Sequence, residues 1–221
     1  MYVRAIGSHS GFKFANLSRE VANSPQSFFH LVALCSRRSD HGEDDPALEL
    51  PTDSEQRRNA AEMAYSTLDN VTQIPGWQDD GRVNVDHLRE WIKSVRELAR
   101  KHDREAITDR QIGNLLQRCG VGDDGIWPRA EVREVVEEIA SDEIATGMSV
   151  EERNSRGMQW RPSPDNGDPE RALAAKYRGY GEAIMNRTPF VARMLFGIAE
   201  SYERDAKYHD GEGRRRERFP D

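Results

Sequence analysis

Apolar side chains recur at steps of three and four residues along most of this 221-residue chain. Val85, Leu88, Trp91, Ile92, Val95 and Leu98 form one such stripe, and Val132, Val135, Val136 and Ile139 form another. A period near 3.6 gathers apolar groups on one face of an α-helix, whereas a half-buried strand needs them at alternate positions. No segment shows that alternation, so the apolar side chains must be buried by packing helices on helices. The expected fold is all-α, with about seven helices in antiparallel hairpins and a short, irregular helical-repeat array as the architecture.

Capping signals and composition divide the chain. Ser24-Pro25 supplies an N-cap and a proline at the first helical position, so residues 1–38 read as an N-terminal helical hairpin in which Phe28, Phe29, Val32 and Cys35 form one stripe. Residues 39–54 are acidic, contain Pro46 and Pro51 and read as an exposed linker. A central helical region follows over 55–147, in which Ala61, Ala64, Tyr65 and Leu68 are the expected buried face of the first helix. Residues 148–167 are rich in Gly, Pro, Asn and Ser and read as an irregular connection. Over 168–210 a second hairpin sets Leu173, Tyr177, Tyr180 and Ile184 against Val191, Leu195, Ile198 and Tyr202, with Thr188-Pro189 capping its second helix. The tail 211–221, with two glycines and the cluster Arg214, Arg215, Arg216 and Arg218, reads as disordered and solvated.

Charge narrows the partners. Thirty-nine acidic against 32 basic side chains leave a formal charge of -7, which disfavours general nucleic-acid binding. A helix-turn-helix-like pair over 108–140 is the alternative worth keeping, although residues 101–140 carry six basic and nine acidic side chains. Only Cys35 and Cys119 are present, which is the usage of a reducing compartment. The longest apolar run, Leu31 to Cys35, falls far short of the ~20 residues that a spanning helix needs. The opening MYVRAIGSHSGFKF lacks the apolar core of a secretory signal, so a cytoplasmic location is expected.

Two Asp-Asp-Gly turns, at 79–81 and 123–125, each precede a helix and lie 44 residues apart, 123 minus 79. Each invites comparison with a calcium loop, which needs oxygen ligands at alternate positions and a closing glutamate. Placing Gly81 on the central glycine puts Gly76 at the first ligand position and His87 at the last; placing Gly125 there puts Gly120 and Gly122 at two ligand positions. Neither turn has the ligand set, and both read as tight turns ahead of helices. The six histidines are scattered, and Asp205 with His209, one turn apart, reads as a surface pair. No phosphate-cradling or nucleophile-elbow motif occurs, so no catalytic residue, metal or cofactor is assigned; a metal-assisted hydrolase is the third alternative. Asn154, Arg156, Trp160 and Arg161 bring two arginines and a tryptophan, residue types that anchor interfaces, into one connection. They are the candidate partner-binding residues of a non-catalytic protein-interaction or regulatory domain.

Ala192, Phe196 and Ala199 share the small-large-small spacing of a tetratricopeptide second helix, but the preceding helix lacks the matching pattern. A broader likeness is carried by DDGIWP at 123–128, NSRG at 154–157, PERALAAKYRGYGEAI at 169–184 and SYERDAKYHD at 201–210. Together these segments resemble the C-terminal helical region of large, mostly uncharacterised bacterial multidomain proteins, some associated with defence-type gene neighbourhoods. The resemblance spans roughly residues 17–210 and implies a C-terminal piece that works with an upstream effector domain. It carries over no active-site residue. Gly167-Asp168-Pro169 stands where that pattern has a paired glycine, a departure that alters a loop and leaves the helices intact.

Overall fold

The computed structural model describes residues 15–155 and 167–218. Among the described residues there are nine α-helices and no strand: α1 (Ala15–Asn23), α2 (Pro25–Cys35), α3 (Ser54–Asn70), α4 (Val85–Lys101), α5 (Glu105–Leu116), α6 (Ala130–Ile139), α7 (Asp142–Asn154), α8 (Asp168–Ile184) and α9 (Pro189–Arg218). The all-α class is as read from periodicity, and the count exceeds the expected seven. Side-chain caps start several helices: Ser24 accepts from the Ser27 N–H at 3.1 Å, Asp53 from Gln56 at 2.9 Å and Asn84 from His87 at 2.9 Å.

One additional helix is α7. Ala140 takes a left-handed conformation (φ 49°) that ends α6, and Ser141 then caps α7 by accepting from Ile144 at 3.4 Å. The sequence hides this helix because Gly147, Ser149 and Arg153 interrupt its apolar stripe. Gly147 is a packing residue: it faces Gly113 of α5, and a Cβ on Gly113 would lie 3.0 Å from the Gly147 Cα. The two helices therefore touch backbone to backbone. At the other end, α9 continues through Gly211 and Gly213 to Arg218, where composition suggests an irregular tail. Two glycines weaken helix propagation by about 1 kcal/mol each without stopping it among good helix-forming arginines.

A continuous core runs from Val21 of α1 to Tyr202 of α9, with Val32, Leu88, Ile92, Ile112, Leu116 and Leu195 buried. A smaller cluster of Phe29, Ala33 and Ala99 is covered by Leu48 and Leu50 from the acidic stretch. That stretch is exposed for most of its length but is not a free spacer. Arg104, with a fully buried side chain, donates to Asp44, which Arg57 also reaches at 2.8 Å. The expected inward face of α3 is corrected at Tyr65, which is 62% exposed. Helix α3 packs chiefly on α2, so only the narrow strip around Ala64 is covered, and Tyr65 lies 100° round the helix from it.

The 44-residue offset is a repeat of backbone conformation. Gly76 and Gly120 share φ values of 78° and 75°, and Gly81 and Gly125 share 81° and 74°; 120 minus 76 and 125 minus 81 are both 44. The hydrogen bonds match at the same offset. Gln78 N–H donates to the Arg82 carbonyl at 2.9 Å as Gly122 does to Ile126 at 3.0 Å, and Asp80 and Asp124 each accept from the residue two ahead. Each turn also buries one apolar residue at the equivalent place, Val83 in the first and Trp127 in the second.

Helices α8 and α9 form an antiparallel hairpin, as their partners show: Arg171 meets Asp210, Arg178 meets Glu203, Tyr177 stacks on Tyr202 and Gly181 meets Phe196. From residue 171 to residue 181 of α8 the partner on α9 moves back from 210 to 196. The expected cap at Thr188 is corrected, since its hydroxyl is buried with no hydrogen-bond partner among the described residues. Glu137 of α6 caps α9 instead, accepting from Phe190 N–H at 3.1 Å and Val191 N–H at 3.0 Å. A carboxylate from another helix satisfies the free N–H groups and complements the positive end of the helix dipole.

Candidate functional site

Helices α7 and α9 run side by side in the same direction, because the ion pairs that join them advance together, Asp142 with Arg193 at 3.0 Å and Arg153 with Asp205 at 2.8 Å. Between these pairs lies an open groove of about 340 Å³. Ala145, Ser149 and Val150 line it from α7; Phe190, Met194 and Ile198 line it from α9. Along both helices the lining positions recur every three or four residues, from 142 to 153 and from 190 to 201. Eleven residues of helix span ~16 Å at 1.5 Å each, or about three turns.

Apolar side chains and small residues share the groove's floor. Gly197 also lines the groove, and a Cβ placed there would meet no atom within 4 Å. Val150 stays 50% exposed although the neighbouring inner face of α7, with Ile144 and Met148, is fully buried. At one end the Arg153 guanidinium sits over the Tyr202 ring, 5.8 Å from its centroid.

The four residues singled out from sequence divide. Asn154 is exposed on the last turn of α7, next to Arg153 at the groove's end. Arg156, Trp160 and Arg161 lie outside the described residues. Residues missed by sequence reasoning are those of the groove itself. Their signal is weak, because Val150 differs from an ordinary core valine only by standing one position out of register with Ile144 and Met148.

Beneath the end of α7 a polar network fixes its position. Tyr177 donates to Glu152, and the Gln117 amide donates to the other Glu152 oxygen at 2.6 Å. Burial and then this carboxylate push the Tyr177 hydroxyl well above the usual phenol range. Beside this network Arg118 ties α7 to the end of α3, reaching Glu151 at 3.5 Å and donating to the carbonyls of Asp69, at 2.8 Å, and of Val71. The α7 wall of the groove is thus anchored from three other elements.

The remaining candidate chemistry finds less support. Asp205 is engaged by Arg153 and Asp210 by Arg171 and the Gly167 N–H, while the His209 ring lies against Tyr208. Among the described residues no three His, Cys, Asp or Glu side chains converge as metal ligands, and no helix is long and apolar enough to cross a membrane. Burial pushes the thiol of Cys35 up to about 11 and that of Cys119 up to about 12, away from nucleophilic use. Over 108–140, α6 packs chiefly on α4 and α9, its Arg133 is buried on Asp124, and it turns Glu134 and Glu138 to solvent. Arg89 of α4 engages both of these carboxylates, Glu134 at 3.2 Å and Glu138 at 2.7 Å. Comparison with family models, curated proteins and solved structures finds no match to this chain.

Proposed function

We propose that this chain is a non-catalytic protein-interaction domain, an irregular array of helix pairs that receives one amphipathic helix of a protein partner between α7 and α9. The observation that carries this reading is the groove's form: about three turns long, apolar in its floor and flanked by exposed ion pairs. An incoming helix with apolar residues at i, i+3, i+4 and i+7 fits two such tracks, and its flanking charges meet the rims. Small residues in the floor let the backbones approach. The resemblance to C-terminal regions of bacterial multidomain proteins favours an upstream effector domain as the source of that helix. Two free, deactivated thiols favour a cytoplasmic setting.

The test is capture from host lysate with the wild type, with Val150→Arg and with Arg156→Ala/Arg161→Ala. Val150 is half exposed, so its replacement should leave stability within about 0.5 kcal/mol. The reading expects one identified protein to be held by the wild type and lost from Val150→Arg. A partner retained equally by Val150→Arg, or nucleic acid recovered instead, would overturn it.

A further inference from the structure

The two Asp-Asp-Gly turns share more than backbone shape. Directly after its first left-handed glycine each sets one large apolar residue in solvent, Trp77 at 39% exposure and Val121 at 52%, and 121 minus 77 is again 44. Six residues further on, each turn buries Val83 or Trp127, so each copy spends one apolar side chain on the core and leaves the other outside. Arg129 joins the two loops: its guanidinium lies 4.9 Å from the Trp77 ring centroid, and its Cα would be 3.2 Å from a Cβ on Gly122. The loops that carry Trp77 and Val121 therefore meet at Arg129 and form one loop face.

The charges on that face are also paired by position. Asp80 is met by Arg82 at 4.0 Å, and Asp124 by Arg133. Asp79 and Asp123 are exposed and make no ion pair with a described residue. The result is an exposed tryptophan and valine beside two unneutralised carboxylates. Trp is a favoured interface anchor, and uncompensated charge selects a partner of opposite sign.

We infer that this loop face is a second docking surface, for a basic segment of a protein partner that lays a bulky apolar side chain against Trp77 and Val121 and sets Lys or Arg on Asp79 and Asp123. It is separate from the α7–α9 groove and does not rest on that reading. The experiment selects from a displayed library of random peptides on the whole chain, then labels the most enriched peptide and measures its anisotropy. The expected peptide carries a large apolar residue flanked by Lys or Arg and weakens with added salt. Its affinity falls at least about tenfold both in Trp77→Ala and in Asp79→Lys/Asp123→Lys, and is unchanged in Val150→Arg. The double charge reversal touches only exposed, unpaired groups, so it keeps the test valid if Trp77→Ala disturbs the turn. Absence of enrichment, enriched peptides without basic residues, or binding lost through Val150→Arg and kept in the loop variants would overturn the inference.

Discussion

Replacing Gly113 by alanine should destabilise the protein, while the same substitution at Gly179 should stabilise it. A Cβ at Gly113 falls inside contact distance of the Ile144 carbonyl oxygen, 2.9 Å from the Met148 nitrogen and 3.0 Å from the Gly147 Cα. Unbonded carbon and oxygen rest about 3.3 Å apart, so α5 and α7 must separate by on the order of 1 Å. The obstructing atoms are helical backbone and cannot rotate aside, which puts the overpacking cost near the top of the usual range, about 3 kcal/mol. Helix propensity returns about 1 kcal/mol, leaving a net loss of about 2 kcal/mol. At Gly179 of α8 nothing lies within 4 Å of the added Cβ, so only the propensity gain remains. For a chain of this size 1 kcal/mol moves Tm by about 2–4 °C. Thermal melts should therefore show Gly113→Ala about 4–8 °C below wild type and Gly179→Ala about 2–4 °C above it. A shift of the same sign in both would refute the backbone-to-backbone packing of α5 on α7.

Two further predictions concern the acidic stretch and its neighbour. Asp44→Ala leaves the Arg104 side chain buried without its carboxylate, with only the carbonyls of His102 at 3.1 Å and Ser36 at 3.3 Å; breaking a buried pair from one side costs about 3–5 kcal/mol. Urea midpoints should fall accordingly, and a change under about 0.5 kcal/mol would show that the stretch is not anchored there. His102 is buried against Phe29, and burial, then Lys101, lowers its pKa below the usual ~6.5. The unfolded chain takes up that proton near pH ~6.5 while the folded chain does not, so stability should fall as pH drops below that point. His102→Gln should flatten this slope in melts between pH ~7 and ~5, and an unchanged slope would place its origin elsewhere.

How much was legible in the sequence depended on whether a residue's role was local. Helices α4 and α6 were readable because their apolar stripes face one core, and the α2 cap because Ser24 directly precedes the helix that it caps. The α9 cap was not, because Glu137 comes from α6, 53 residues before Phe190, and sequence adjacency pointed to Thr188 instead. Helix α7 was lost for the same kind of reason: Gly147 looks like a breaker until Gly113 is placed opposite it. The Asp-Asp-Gly repeat was visible as an offset, while the exposure of Trp77 and Val121 needed three dimensions. Of the α7–α9 groove, sequence reasoning reached only Asn154 beside its end, because the apolar residues of its lining, such as Met194 and Ile198, resemble ordinary core.

The most direct test of the interaction reading is a photo-cross-linking amino acid placed at Val150, in the groove, and in a separate protein at Lys93, on the exposed face of α4, each expressed in the native host. Cross-links from position 150 should map to one protein segment whose apolar residues recur at i, i+3 or i+4 and i+7, with none of that segment captured from position 93. Equal labelling from both positions, or no discrete product from position 150, would contradict the assignment of the α7–α9 groove as the seat of a partner helix.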